Sequence, residues 1–221
     1  MIVDADSQTK RVKKVPKATI TRLCMYYRQL ELLEFDGYRV VSSDKLGWLC
    51  GVTPAQVRKD LGYFGEFGVR WQGYDVIDLK RQIKSILALN RPWNFVVMGV
   101  GNLGSAIILN KNLRKRGFLC VGAFDIDKKK IGMNVGEDVW VMGIDRLSDI
   151  VKERGVDIGV ITTPAKSAQD AAQLLAENGI HAIINFTQTR IILPECCIVD
   201  NVDLTVSVDI LTYKLHHQAL K

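Results

Sequence analysis

The chain has 221 residues, 48% of them apolar and 24% charged, with a formal net charge of +6; this is ordinary globular composition, enough for one sizeable domain or two small ones. No apolar run approaches the roughly 18–20 residues of a membrane span, and the basic N-terminus MIVDADSQTKRVKK lacks the apolar core of a secretory signal. The five cysteines (Cys24, Cys50, Cys120, Cys196, Cys197) show no C-x-x-C pair and no histidine at metal-ligand spacing, which predicts reduced, buried thiols in a cytoplasmic protein and no metal.

Charge is unevenly placed. Residues 1–90 carry 15 Lys and Arg against 10 Asp and Glu, whereas residues 91–221 carry 15 against 14. A basic front half points to a polyanionic partner, although a merely solvated basic surface would give the same count.

Residues 1–15 read as a loose basic arm. Pro16 opens a helix with Ile20, Leu23, Cys24, Tyr27, Leu30 and Leu33 at helical spacing, ending at Gly37. A short helix capped by Ser42 or Ser43 follows, with Leu46 and Leu49 inward and Gly51 closing it. Thr53-Pro54-Ala55-Gln56 then starts a third helix: Thr53 caps, Pro54 takes the first helical position, and Gln56 completes a capping box. This helix buries Val57 and Leu61 and leaves Gln56, Arg58 and Lys59 on other faces. The order is that of a helix-turn-helix, whose third helix enters the DNA major groove. Arg58 can hold a guanine edge with two hydrogen bonds and Lys59 can neutralise phosphate. Glycines 62, 65, 68 and 73 alternate with Tyr63, Phe64, Phe67, Trp71 and Tyr74 and, with Arg70, suggest a wing touching the DNA backbone. From Asp78 an amphipathic helix, read as a linker between domains, carries Leu79, Ile83, Ile86 and Leu87 and stops before Pro92.

Beyond Trp93 the pattern becomes strand–helix alternation. The expected strands are 94–98, 119–124, 140–142, 157–162 and 182–185, with helices over 105–116 and 168–178. Such alternation implies a mostly parallel, doubly wound sheet. The last segment, from Val202 towards Leu220, carries an apolar stripe of Leu204, Val208, Leu211 and Leu215 that could pack on its own domain or on a partner chain. Asp203 is placed to cap it.

Gly99-Val100-Gly101-Asn102-Leu103-Gly104 follows the first of these strands and opens a helix, the context a dinucleotide-binding glycine turn requires. Gly99 permits the turn, Gly101 admits the pyrophosphate, and Gly104 lets helix and strand pack closely. The next strand ends in F124-D-I-D127, where Asp125 can accept the adenosine ribose hydroxyls and repel a 2′-phosphate, favouring NAD(H) over NADP(H). Coenzyme A or another adenine nucleotide is a variant of the same reading, and a glycine turn without a nucleotide is the plain alternative. Catalytic equipment is not evident. The three histidines are His181, His216 and His217, and no Ser-x-x-x-Lys or Tyr-x-x-x-Lys pair stands where a dehydrogenase needs its proton donor.

The two halves together resemble the Rex family, bacterial redox-sensing repressors that bind DNA according to the NADH/NAD+ ratio. The resemblance runs from about Pro16 to Leu215. Its motifs are I20-T-R-L-C-M-Y-Y-R28, T53-P-A-Q-V-R-K-D-L-G-Y-F-G65, G99-V-G-N-L-G104, G117-F-L-C-V-G-A-F-D-I-D127, I184-N-F186 and N201-V-D-L204. It implies a winged-helix domain over 16–90, a Rossmann NAD(H)-binding domain over 91–201, and a C-terminal helix over 202–221 exchanged between the subunits of a homodimer. It also implies DNA contact through Arg58 and Lys59, with operator double-stranded DNA as the partner; the helix face and the wing add Gln56, Tyr63 and Arg70 as further expected DNA contacts. Cofactor contact would fall to the glycine turn, Asp125, Thr162, Thr163, Pro164 and Phe186. NADH and NAD+ act as regulatory ligands, so the protein would not be an enzyme. A switch network of arginine, tyrosine and aspartate maps onto Arg28, Lys111 and Asp203, with lysine at the tyrosine position. Two further departures are N185-F-T-Q188, which lacks the usual Ala-Pro, and Trp71-Gln72 in the wing. The rival readings are a NAD-dependent oxidoreductase with an appended DNA-binding domain, and a winged-helix protein whose Rossmann half serves only to dimerise.

Overall fold

A computed structural model of the protein describes residues 15–68, 72–136 and 138–218. Arg70, Trp71 and residues 1–14 of the basic arm lie outside these described residues. The chain divides into two compact units, Met1–Asn90 and Arg91–Lys221.

The first unit is built on α1 (Lys17–Phe35), β1 (Val40–Val41), α2 (Ser43–Cys50), α3 (Pro54–Leu61), β2 (Tyr74–Asp75) and α4 (Val76–Ile86). Ser42 caps α2, accepting from the Lys45 amide at 3.1 Å, and Gly51 ends it in the left-handed region at φ 66°. Thr53 Oγ1 caps α3 through the Gln56 amide at 3.2 Å. Helix α4 is no free linker. It starts earlier than expected, at an Asp75 cap, and buries Val76, Leu79 and Ile83 in one core with Leu23, Tyr26, Leu30, Val57 and Leu61. The strand partner of β2 is β1, Val41 opposite Tyr74, in an antiparallel pair. Tyr74 is buried and Phe64 and Phe67 pack against the core, so these wing aromatics serve packing.

One buried charge ties α3 to α1. Asp60, fully buried, accepts from Arg22 Nε at 2.5 Å and Arg22 Nη2 at 2.7 Å. Tyr26 Oη donates to it at 2.8 Å and Thr19 Oγ1 at 3.2 Å. Gln56 Nε2 also donates, at 2.8 Å. Burial alone would raise the carboxyl's pKa, but Arg22, Tyr26 and Gln56 outweigh it and hold Asp60 below its ordinary range. Burial and the Asp60 charge push the Tyr26 phenol up.

The second unit is a seven-stranded sheet in the order β5-β6-β4-β3-β7-β8-β9. Its strands are β3 (Trp93–Met98), β4 (Phe118–Phe124), β5 (Asn134–Gly136), β6 (Val139–Met142), β7 (Ile158–Ile161), β8 (Ala182–Asn185) and β9 (Ile198–Asn201). All neighbours are parallel except β5 and β6. The helices are α5 (Asn102–Ile108), α6 (Lys111–Lys115), α7 (Leu147–Arg154), α8 (Ala168–Glu177) and α9 (Leu204–Gln218). Alternation along the strands sends Val96, Met98, Phe124 and Ile161 against α7 and α8, and Phe95, Val97, Ala123 and Val160 to the face with Ile108 of α5. The single helix expected over 105–116 is two, because Asn110 accepts from the Asn112 and Leu113 amides and starts α6. Helix α9 has no buried residue; its apolar side chains, Leu204 to Leu215, are 49–67% exposed.

Because Asp60 titrates below the unfolded carboxylate value near 4, its contribution is complete above that value and is lost as pH falls through the folded pKa. Asp60→Asn should cost the first unit about 3 kcal/mol, the low end for breaking a buried pair because Arg22 keeps 22% exposure. Hydrogen exchange of the α1 and α3 amides checks both: the wild type loses protection on acidification, and the variant starts lower and loses less.

Candidate dinucleotide and DNA sites

In the sheet of the second unit β3 is the point of reversal: the chain runs outward on one side through β4 and β6 and on the other through β7 and β8. A crevice therefore opens beyond the carboxyl ends of β3 and β7, where open α/β sheets take their ligands. The Gly99 turn leaves β3 and the Thr162–Pro164 loop leaves β7, and the two meet. Thr162 Oγ1 donates to the Gly99 carbonyl at 2.6 Å.

The three glycines differ in the space around them. Gly99 has φ 95°, and a Cβ on it would stand 2.8 Å from the Thr163 nitrogen. A Cβ on Gly104 would lie 2.2 Å from the Gly99 oxygen and 2.9 Å from Thr162 Oγ1. A Cβ on Gly101 would meet nothing within 4 Å; it would fill the open space a pyrophosphate needs. Asn102 and Leu103 are exposed at the start of α5, and Val100 is buried.

The crevice is a cavity of about 940 Å³ lined by Gly99, Gly101, Asp125, Lys130, Thr162, Thr163 and Pro164 among others, of a size for a nucleotide cofactor. Thr163 Oγ1 is buried there without a hydrogen-bond partner, so a ligand polar group would satisfy it. These features fit a dinucleotide. Phe186 is not among the lining residues; it packs beside the core on the α5 face.

Asp125 is 8% exposed and works inward as well as outward. Its Oδ2 accepts from the Val100 amide at 2.9 Å and from Lys130 Nζ at 2.8 Å, and its Oδ1 accepts from the Asp127 amide at 2.9 Å. Oδ1 keeps one acceptor position for a ribose hydroxyl. Burial works to raise the pKa, but Lys130 and the two amides prevail and hold the carboxyl below its usual range. Lys130 is the residue the sequence reading missed; it lay in a lysine run that reads as a solvated face.

On the first unit Arg58 and Lys59 are exposed on α3, and Arg58 Nη1 donates to Ser43 Oγ at the start of α2, 2.8 Å away. Tyr63 is half-buried just past the helix. The Gln56 side chain turns inward, its amide nitrogen on Asp60, so only the Thr53 half of the expected capping box forms. On α2, Lys45 sits 5.1 Å from the centroid of the exposed Trp48 ring, an outward pair that helical periodicity did not single out. Of the three switch positions, Arg28 is exposed on α1 and Lys111 exposed on α6. Asp203 accepts from the Thr205 amide and hydroxyl at 2.8 and 2.7 Å, capping α9 as expected. Lys111 and Asp203 are not joined.

Two family profiles match: one described as a putative DNA-binding protein N-terminus over residues 14–62, the other as a CoA binding domain over residues 90–189. The redox-sensing transcriptional repressor Rex of Syntrophobacter fumaroxidans is 50% identical over 202 residues, 91% of this chain and 96% of that protein. The crystal structure of a protein named RSP with β-NAD+ and operator DNA is 36% identical, covers 93% of this chain and 94% of its own, and superposes with a TM-score of 0.87. RSP with β-NADH is 35% identical, with coverage of 94% and 97% and a TM-score of 0.85. A basic recognition helix, a nucleotide crevice at the sheet reversal and this likeness along both halves agree: the chain belongs to the Rex family of redox-sensing transcriptional repressors.

Proposed function

We propose that the protein is a transcriptional repressor whose hold on operator DNA is set by the NADH/NAD+ ratio. The observation that carries this is the union, in one chain, of an exposed Arg58–Lys59 pair on a capped third helix and a glycine-lined nucleotide crevice. The dinucleotide is a signal and turnover is not required. The relatives are named repressors, which favours this reading over a dehydrogenase.

Arg58 reads base edges and Lys59 neutralises phosphate, with Tyr63 beside them. Their footing is the Asp60 network, and Gln56 belongs to that network. In the crevice, Asp125 orients the adenosine ribose, Gly101 leaves room for the pyrophosphate, and Thr162, Thr163 and Pro164 border the nicotinamide end. The oxidised ring is planar and cationic, the reduced ring neutral, so a confined loop can bind them unequally. Only such a difference shifts the equilibrium between DNA-binding and released forms.

The working form is a homodimer that exchanges α9. The support is physical: an amphiphilic helix 49–67% exposed along its apolar side chains lacks cover within its own chain. Two-fold symmetry would also match two operator half-sites. A repressor of chromosomal operators works in the cytoplasm.

Arg58→Ala should weaken specific operator binding by about 1–3 kcal/mol and leave NADH affinity unchanged. Asp125→Ala should do the reverse, weakening NADH about tenfold or more through loss of charge-assisted hydrogen bonds. Anisotropy and calorimetry separate the two; a dinucleotide affinity indifferent to Asp125→Ala contradicts the crevice assignment. Leu211→Asp with Leu215→Asp should convert a dimer to a monomer in sedimentation, and a dimer that survives it contradicts the exchange.

A further inference from the structure

A second cluster of chemically capable side chains lies at the other end of the sheet from the glycine turn. His181 immediately precedes β8 and Cys197 immediately precedes β9. The parallel register sets Ala182 opposite Ile198, so the residues ahead of the two strands are neighbours. The Ile198 amide donates to the His181 carbonyl at 2.7 Å, and the Cys197 amide donates to the Pro194 carbonyl at 2.9 Å, closing a tight turn that presents Cys196 as well. One ring nitrogen of His181 and the Sγ atoms of Cys196 and Cys197 all lie within 4.8 Å of one another. His181 and Cys196 are exposed, Cys197 is half-buried, and both thiols are free.

From this juxtaposition we propose that His181, Cys196 and Cys197 form a surface site for a thiophilic cation, with Zn2+ as the test case. Two thiolates and an imidazole are the donors such cations prefer, and two negative charges neutralise a divalent ion. Zinc bonds of about 2.3 Å to sulfur and 2.0 Å to nitrogen require donor atoms roughly 3.5 Å apart in a tetrahedron. Side-chain rotation on an exposed turn can make that contraction. The fourth position faces solvent and takes water. Each thiol gives up its proton on binding, so loading releases two protons per cation and weakens as pH falls. The cation would fasten the edge strand β9 to β8, and β9 leads directly through Val202 and Asp203 into α9.

This departs from the expectation of no metal. Spacing along the chain hid the cluster, because His181 and the cysteine pair approach only through the β8–β9 pairing. Among the described residues this is the one group of three His, Cys, Asp or Glu side chains close enough to share an ion.

The test is titration of the full-length, reduced protein with Co2+, a spectroscopic substitute for Zn2+. The expected result is one equivalent bound, with thiolate-to-cobalt charge-transfer absorption, displaced by Zn2+. Cys196→Ser and Cys197→Ser should each remove about half of that absorption, and His181→Asn should weaken binding about tenfold or more with the thiolate bands retained. Cys24→Ser should change nothing. Absence of thiolate bands in the wild type, or bands that persist in the Cys196→Ser/Cys197→Ser double variant, would overturn the assignment.

Discussion

The nucleotide crevice depends on one close contact, that of Thr162 with the Gly99 turn. The hydroxyl reaches the Gly99 carbonyl at 2.6 Å, and Gly104 stands so near the same carbonyl that no Cβ fits between them. This contact joins the loop after β7 to the loop after β3, the two loops that flank the sheet's reversal. Because it involves backbone and a short side chain, it is stiff. The crevice is therefore largely formed before a ligand arrives, and the binding energy need not first assemble it. The orphaned Thr163 hydroxyl beside it is the group that a ligand would complete.

Two buried carboxylates give the two units a common construction. Asp60 and Asp125 are each nearly inaccessible, each is paired with a cation, Arg22 or Lys130, and each is held below its ordinary pKa by hydrogen bonds that overcome burial. Asp60 fixes the recognition helix against α1, so that Arg58 and Lys59 are presented from a settled platform. Asp125 fixes the glycine turn through the Val100 amide and keeps an acceptor position on Oδ1 unused by the protein. Lys130 also moderates a conclusion drawn from sequence alone. On the proposed reading, the repulsion that Asp125 would offer a 2′-phosphate is partly offset by the ammonium 2.8 Å away, so a preference for NAD(H) would rest on shape and hydrogen bonding as well as charge.

The helix-turn-helix and the doubly wound sheet were legible because their signals are local. Thr53-Pro54 marks a helix start by its own chemistry, and the central strands are apolar runs because both faces are covered. Edge strands carry no such mark: β9 has Asp200 and Asn201 in it and exposed positions along it, and β5 is three residues with a glycine. The break between α5 and α6 had a signal, Asn110 as a capping residue, inside what periodicity presented as one helix. Asp60, Arg22 and Tyr26 could not be joined from sequence, since 38 and 34 residues separate Asp60 from these partners and a charged residue next to Lys59 looks like solvated surface. The same holds for His181 with Cys196 and Cys197, brought together only by strand register. The apolar stripe of α9 was legible, but the sequence left open whether its own domain covers it; the structure leaves it exposed.

On the proposed reading, reduced and oxidised dinucleotide act differently on one DNA-binding protein. The most direct measurement is fluorescence anisotropy of a palindromic operator fragment at fixed moderate salt, titrated with NADH and, separately, with NAD+. Release by NADH at concentrations where NAD+ leaves the complex intact is the predicted result. Operator binding that responds equally to both, or to neither, would contradict it.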